Sequence, residues 1–484
     1  MVTAGPSPSG SVPAVVIAAP ASGSGKTTIA TGLMGALRAT GVVVAPFKVG
    51  PDYIDPGYHT LAAGRPGRNL DPVMVGPERI GPLFRHGASG SDLAVVEGVM
   101  GLFDGRIDAE ATAPVAHGST AHVATLLGAP VVLVVDARGH SQSLAALLHG
   151  FATFDASVRL AGVVLNRVGS ARHEQVLRQA CERVGLPVLG VVPRLAELEV
   201  PSRHLGLIPA AEHGLSATRA VAAMTDLATR TLDIPAIRAI ASAGPDGPVW
   251  DPAVEVAAHP ARAATGGHTT RPVVAVAGGR AFTFGYVEHR ELLEAAGAEV
   301  VVFDPVHDRL PPGTSGVVLP GGFPEEHAAD LAANDTLRGQ LRAHAAAGGP
   351  IHAECAGLLY LTAMLDGHAM SGVIDVAARF ASPLTLGYRD AVAVADSSVF
   401  PAGTRVVGHE FHRTALDSPS AVGFDAAWGW RGVDGAPVLE GFVGGSGHAG
   451  VHASYLHTHP AGHPEGIRRF VDAARAWAAG SDRE

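Results

Sequence analysis

The chain has 484 residues, too many for one ordinary core, so two or three domains are expected. Its 47% hydrophobic content excludes a disordered chain, and its formal charge of −10 argues against a protein that coats nucleic acid or an anionic membrane. Two cysteines exclude a disulfide scaffold and fit a reducing cytoplasm, and no apolar run approaches the roughly 20 residues that span a bilayer.

Residues 1–12 (MVTAGPSPSGSV) read as a disordered lead, and with no Lys or Arg before the first apolar stretch no secretion signal is expected. Six short apolar, β-branched runs then alternate with helix-length segments: 14–19, 42–48, 93–98, 130–137, 161–167 and 188–193. Continuous apolar strands of this length imply a sheet buried on both faces, and their alternation with helices implies a parallel α/β sheet. The first run leads into APASGSGKTT (19–28) and a helical segment, the setting a phosphate-binding loop requires. Gly23 and Gly25 free the backbone amides to face a polyanion, with Ser24 and Thr28 in the same ATP-binding loop. Lys26 can reach the β- and γ-phosphates, and Thr27 can ligate Mg²⁺. The loop departs from the usual pattern in having Pro20 where a glycine is common.

Further strand ends carry polar groups. FKVGPDYIDPGYH (47–59) offers Lys48, Asp52 and Asp55, and VVEGVMGLFDG (95–105) offers Glu97. Ligands of open α/β sheets bind at the carboxyl ends of the strands. Thr27, Asp52 and Glu97 are therefore the expected Mg²⁺ ligands, with solvated turn carboxylates as the alternative. Asn166, in LNRVGS, is a candidate reader of the adenine edge, and PSRHLGL (201–207) presents Ser202, Arg203 and His204 on a loop; each signal is equally compatible with a structural role.

Periodicity vanishes over 241–271, a Gly-, Pro- and Ala-rich stretch read as a linker between a domain at 13–240 and one at 272–470. Strand-like runs restart at 272–278, 298–304, 315–322 and 350–355, and GIRRFVDAARAWAAG closes the second domain as an amphipathic helix. In PIHAECAGLLYL, Cys355 falls between strand and helix. It is either a buried inert thiol or a nucleophile on a tight turn, its pKa lowered by the helix N-terminus. A nucleophile needs a base, and HASYLHTHP (452–460) supplies the candidate. Gly321 and Gly322 of LPGGFPEEHA, with the amide of Ala356, are candidates for an oxyanion hole. Cys181, on a helical pattern, reads as inert. The 24 histidines are scattered, and their number alone implies no metal cage.

The strings FKVGPDYIDPGYH, NLDPVM, VVEGVMGLFDG, PSRHLGL, LPGGFPEEHA, AECAGLLYL, GHEFH and HASYLHTH, in this order over residues 13–470, resemble the a,c-diamide synthases of corrinoid biosynthesis. The resemblance implies an α/β fold with a P-loop, dethiobiotin-synthetase-like parallel-sheet domain followed by a class I-like glutamine amidotransferase domain. It implies ATP-dependent amidation of the a and c carboxylates of hydrogenobyrinic or cobyrinic acid, with Mg²⁺ as cofactor. Cys355 would attack glutamine, His457 would activate it, and Lys48 would stabilise the phosphoryl group or a substrate carboxylate. Typical class I glutaminases carry a Glu two residues after the histidine; His459 stands there, so what orients His457 is open. The implied partners are glutamine, ATP and a corrinoid ring, with no nucleic acid or membrane and with a homodimer as one possibility. Cobyric acid synthase and nickel-sirohydrochlorin a,c-diamide synthase share this architecture. A partitioning-type ATPase switch would carry a signature lysine at position 21, where this chain has Ala21.

Overall fold

The computed structural model describes residues 11–107, 113–194, 202–203, 206–207, 214–259, 271–432, 434–444 and 450–481. Most of the expected N-terminal lead and His204 lie outside the described residues, as do the side chains of Ser202 and Arg203. The chain divides into two compact units, Met1–Trp250 and Asp251–Glu484.

The first unit is built on an eight-stranded sheet. Its elements are β1 (Pro13–Ala18), α1 (Lys26–Ala39), β2 (Val44–Val49), α2 (Asp55–Ala63), β3 (Arg68–Leu70), β4 (Leu93–Glu97), β5 (Val131–Asp136), β6 (Leu160–Val168), β7 (Val188–Pro193), α3 (Gly214–Thr231) and β8 (Ser242–Ala243). The strand order is 3-2-4-1-5-6-7, all parallel, with β8 antiparallel to the start of β1. Every residue of β2 and β4 is buried, as continuous Val/Ala/Leu runs require in a sheet covered on both faces. The chain leaves β1 toward β2 on one side and crosses from β4 to β5 on the other. That reversal places a crevice at the carboxyl ends of β1, β2 and β4. The six apolar runs expected from sequence are all strands here; β3 is an addition too short to have shown a period.

Part of the stretch read as linker is structured. Ser242–Ala243 extends the first sheet, and Trp250 is buried against His86, with ring centroids 4.9 Å apart. Asp251 then caps α4 (Pro252–Ala257) by accepting the amide of Ala253 at 2.8 Å. Pro at the first helical position and Asp before it are good helix starters, so a Pro-rich segment supports this short helix.

The second unit continues with β9 (Val273–Ala277), α5 (Val287–Ala295), β10 (Glu299–Phe303), β11 (Thr314–Leu319), β12 (Ile351–Glu354), α6 (Ala356–Leu361), β13 (Ile374–Ala393), β14 (Arg405–Leu416), β15 (Phe424–Asp425), β16 (Phe442–Gly444), β17 (Val451–Ser454) and α7 (Pro464–Ser481). Its main sheet runs 10-9-11-12-17-16-15, parallel as far as β17 and antiparallel beyond. The core gathers Leu319, Ile351, Ala353, Leu358, Leu359, Phe442, Val451 and Ala453. Sequence reasoning missed the antiparallel β13–β14 hairpin and the second, six-stranded sheet built around it. Exposed and buried positions mix along β13, so the hairpin carries no continuous apolar run to betray it.

Candidate active sites

The loop after β1 is shaped by glycine. Gly23 and Gly25 have φ of 78° and 94°, in the left-handed region. A Cβ at Gly25 would stand 2.4 Å from Asn166 Nδ2, so a side chain is excluded by space as well as by backbone. Gly25 is the N-cap of α1, so Lys26, Thr27 and Thr28 form its first turn, where unpaired amides and the helix dipole favour an anion. Lys26 Nζ donates to the Met100 carbonyl at 2.5 Å, and burial together with the nearby Lys48 charge lowers its pKa to about 8. Asn166, at the end of β6, donates to the Ser24 carbonyl at 2.9 Å and accepts the Arg167 amide at 2.9 Å. Its amide thus braces the loop from the neighbouring strand. Sequence reasoning missed Arg167, which donates to the Gly23 carbonyl at 2.9 Å and pairs with Asp136 at 2.6 Å.

Beside this loop lies a buried charge cluster. Lys48 and Glu97 are register partners on β2 and β4, which brings Lys48 Nζ to 2.9 Å from Glu97 Oε1. Asp55 Oδ2 receives Lys48 at 2.5 Å and Thr27 Oγ1 at 3.3 Å, and Thr27 also donates to Glu97 at 2.6 Å. The expected trio therefore assembles with one exchange. Asp52 Oδ1 accepts the amides of Ile54 and Asp55, both at 2.9 Å, so it turns the chain into α2. Asp55, three residues on, points at Thr27 instead. Sequence reasoning also missed His59, whose Nε2 lies 2.6 Å from Glu97 Oε2, with both side chains fully buried. This contact fixes one oxygen of Glu97 while the other faces Thr27 and Lys48.

The electrostatics of the cluster follow from two carboxylates and one ammonium taken out of water. Burial opposes the Lys48 charge, but Asp55 and Glu97 outweigh it and raise its pKa. Burial also works against the Glu97 charge, yet Lys48, His59 and Thr27 hold it ionised below the usual carboxylate range. Asp55 is pushed up by burial and by the Asp52 and Glu97 charges, so the cluster can accept more positive charge than Lys48 supplies. Among the described residues no cluster of three or more His, Cys, Asp or Glu side chains forms a cation cage. One hydroxyl and two carboxylates beside a phosphate loop nevertheless suit Mg²⁺, which binds few protein oxygens and completes its shell with water and phosphate. The donors that fit are Thr27, Asp55 and Glu97.

In the second unit, β12 ends at Glu354 and α6 begins at Ala356, leaving Cys355 on the turn with φ of 48°. Positive φ at a non-glycine residue is strained, and such strain is characteristic of nucleophile elbows. The turn is held by the Cys355 amide on the Ser454 carbonyl at 2.7 Å and by the Leu359 amide on the Cys355 carbonyl at 3.0 Å. The thiol lies 3.9 Å from the Phe411 carbonyl of β14, and the backbone amides of Gly322 and Ala356 act to lower its pKa. These are two of the three groups expected to form an oxyanion hole. The third, Gly321, makes room for the base. A Cβ there would lie 2.3 Å from His457 Cε1, so only glycine admits the imidazole. His457 follows the adjacent strand β17 and exchanges backbone hydrogen bonds with His409, both of 2.9 Å. The predicted pair Cys355 and His457 thus converges on one sheet edge against β14.

One expectation about the thiol is reversed. Burial and the Glu325 charge raise the Cys355 pKa well above the usual thiol value, despite the two amides and the helix start. At 2% exposure, desolvation of a thiolate outweighs a one-and-a-half-turn helix dipole. His457, also buried, is lowered to about 4. The resting pair is therefore neutral thiol and neutral imidazole. Cys181 is free, buried and pushed to about 11, in keeping with an inert thiol.

The surroundings of His457 differ from expectation too. His459 is fully buried, accepts the Ala461 amide at 3.3 Å and lies 4.1 Å from the Tyr286 ring centroid to centroid. It serves as a short helix cap and packing partner. Glu354 comes close to the base instead. Its Oε1 accepts the Thr458 amide at 3.0 Å and the Thr458 hydroxyl at 2.7 Å, and its Oε2 lies 4.0 Å from His457 Nδ1. Burial raises its pKa, but His352, His457 and Thr458 outweigh that and hold it at about 2. Sequence reasoning overlooked Glu354, although it is the residue immediately before Cys355.

Comparison with known proteins agrees with this two-site organisation. Residues 15–208 match the CobQ/CobB/MinD/ParA nucleotide binding domain, and residues 273–464 match the CobB/CobQ-like glutamine amidotransferase domain. The chain is 62% identical to hydrogenobyrinate a,c-diamide synthase of Mycobacterium bovis, over 95% of this chain and 97% of that protein. It is 54% identical to the protein of the same name from Streptomyces coelicolor, over 96% and 98% of the two chains. Cobyrinate a,c-diamide synthase of Syntrophotalea carbinolica is 43% identical, over 96% and 99%. With a phosphate loop backed by a buried Lys-carboxylate cluster, a cysteine elbow, and matches running nearly end to end, the chain belongs to the hydrogenobyrinate and cobyrinate a,c-diamide synthase family.

Proposed function

We propose that this protein amidates the a and c carboxylates of hydrogenobyrinic acid, using ATP and glutamine, and that its chemistry is divided between the two sites described. The observation that carries the reading is one chain holding both a phosphate loop with Lys26, Lys48, Asp55 and Glu97 and a cysteine elbow with His457. A carboxylate has no leaving group, so ammonia cannot displace its oxygen directly. Transfer of the γ-phosphoryl group to the carboxylate makes an acyl phosphate, and ammonia then displaces phosphate to leave an amide. The loop amides and Lys26 hold the polyphosphate, Lys48 offsets charge on the transferring group, and Asn166 holds the loop at the adenine side. Thr27, Asp55 and Glu97 would hold Mg²⁺, which when bound neutralises charge on the phosphates.

Ammonia comes from glutamine. His457 takes the thiol proton as Cys355 Sγ bonds to the side-chain amide carbon, and the Gly322 and Ala356 amides receive the developing oxyanion. Collapse breaks the C–N bond, and the imidazolium returns its proton to the departing nitrogen, giving ammonia and a glutamyl thioester. Water, deprotonated by the same imidazole, hydrolyses the thioester to glutamate. Metal-free hydrogenobyrinic acid is the substrate proposed because relatives at 62%, 54% and 50% identity carry its name, whereas relatives at 43%, 39% and 38% carry that of cobyrinate.

The test incubates the protein with ATP, Mg²⁺ and glutamine and with either hydrogenobyrinic or cobyrinic acid, and follows product mass. Diamide formation from the metal-free ring, at a kcat/KM at least tenfold above that for the cobalt complex, is the expected result. Diamide from neither ring would refute the function, and preference for the cobalt complex would refute the substrate assignment.

A further inference from the structure

We infer that Glu354 is the positioning residue of the glutaminase site: it orients His457 from the nucleophile's own strand, in place of a carboxylate two residues after the histidine. The inference rests on the glutaminase reading above. An imidazole that must take a proton from one neighbour and return it to another needs a fixed ring and a fixed tautomer. A carboxylate beside one ring nitrogen provides both, and it stabilises the imidazolium that forms during the reaction. The position where sequence comparison looks for that carboxylate holds His459, whose Nδ1 accepts the Ala461 amide at 3.3 Å.

Glu354 meets the requirements by another route. It ends β12, one residue before Cys355, and its carboxylate reaches across to the segment after β17. There the Thr458 amide and hydroxyl, at 3.0 and 2.7 Å, grip Oε1. Because Thr458 directly follows His457, this grip ties the carboxylate to the base's own backbone. Oε2 is left 4.0 Å from His457 Nδ1, near enough for a modest shift of the ring to close a hydrogen bond. On its other side Glu354 Oε1 lies 3.5 Å from His352 Nε2. The other charged and titratable groups facing His457 are His409, Glu410 and His412 of β14, and Glu410 is itself taken by Arg389 at 2.7 Å. Glu354 is therefore the carboxylate with an oxygen directed at the base. Its attachment to both the nucleophile's strand and the base's loop also makes the pair's spacing depend on one side chain that is 12% exposed.

The test compares Glu354→Gln, Glu354→Asp and Thr458→Val with the parent enzyme, using glutamine or a high concentration of ammonium chloride as nitrogen source. With glutamine, Glu354→Gln should lower kcat 10- to 100-fold and move KM less than threefold; Glu354→Asp should recover part of the loss. Activity with ammonium should stay within twofold for all three. Iodoacetamide modification of Cys355 at pH 7.5 supplies a readout that loss of charge alone would move oppositely. Removing a negative charge from beside a thiol promotes the thiolate and speeds alkylation, whereas a misoriented imidazole slows it. A fivefold slowing is expected. Unchanged kcat with glutamine, or faster alkylation, would overturn the inference while leaving the glutaminase reading intact. That reading fails separately if Cys355→Ser retains glutamine-dependent activity. Should Glu354→Gln not fold, Thr458→Val decides: a three- to tenfold fall in kcat supports the inference and no change refutes it.

Discussion

Glu97 and Glu354 are both ionised although burial disfavours their charge, and each is held so by specific donors. Glu354 is the more readily measured. Its pKa of about 2 against an ordinary value of 4.5 means that the unfolded chain binds the proton more readily. Its contribution to stability is therefore complete above about pH 4.5 and is lost as the pH falls toward 2. The expected slope is steep: about 3 kcal/mol from this group alone over that interval, at 1.36 kcal/mol per unit. Urea midpoints measured between pH 6 and pH 3 should fall more shallowly in Glu354→Gln than in the parent; parallel curves would place the acid sensitivity elsewhere. Lys48 gives the complementary prediction. Its replacement by Met leaves Asp55 and Glu97 buried without their ammonium, which costs about 3–5 kcal/mol for such a broken pair. Amidation with ammonia as nitrogen source should fall by about 10²-fold or more as transition-state charge loses a partner. A variant with normal ammonia-dependent kcat would show that Lys48 only holds the fold together.

At the scale of elements, the nucleophile depends on how closely α6 seats on the end of β11. Gly357 sits in the first turn of α6, and a Cβ there would lie 2.1 Å from the Leu319 carbonyl oxygen. Both groups belong to buried backbone or near-backbone structure, so neither can yield cheaply. Gly357→Ala should destabilise by about 1–3 kcal/mol as overpacking does. Because the helix would lift with the residue next to the nucleophile, glutamine-dependent activity should fall several-fold more than ammonia-dependent activity. Equal activities and an unchanged melting temperature would mean that the turn has room to relax. The same scale explains the exchange between Asp52 and Asp55. In PDYID the first Asp lies two and three residues before the amides it accepts, and the second, three residues on, lies 3.3 Å from the Thr27 hydroxyl. Sequence presents two equivalent carboxylates on one loop; only the turn into α2 decides which accepts the backbone amides and which faces Thr27.

For the molecule as a whole, two units with separate parallel sheets imply separable half-reactions. Cys355→Ser should abolish glutamine-dependent amidation while preserving activity with ammonium within about twofold, because the acyl phosphate forms at residues of the other unit. Loss of both activities on a protein with an unchanged melting curve would make Cys355 structural. No helix among the described residues is long and apolar enough to cross a membrane.

The sequence by itself determined both parallel sheets, through ten apolar runs that are strands in the structure, and it singled out the loop at 23–28, Cys355 and His457 as candidates. These were legible because the information is local. A buried parallel strand needs a continuous apolar run, and a phosphate loop needs glycine, lysine and threonine at fixed offsets. Tertiary structure decided the rest, because it concerns partners far apart in the chain. The β13–β14 hairpin exposes part of each strand and leaves no clean period. His59 and Glu354 acquire meaning only when folding brings them to Glu97 and His457, 38 and 103 residues away. The sign of the Cys355 shift was likewise undecidable from the turn alone: the helix start favours the thiolate locally, but burial, which the whole fold sets, outweighs it.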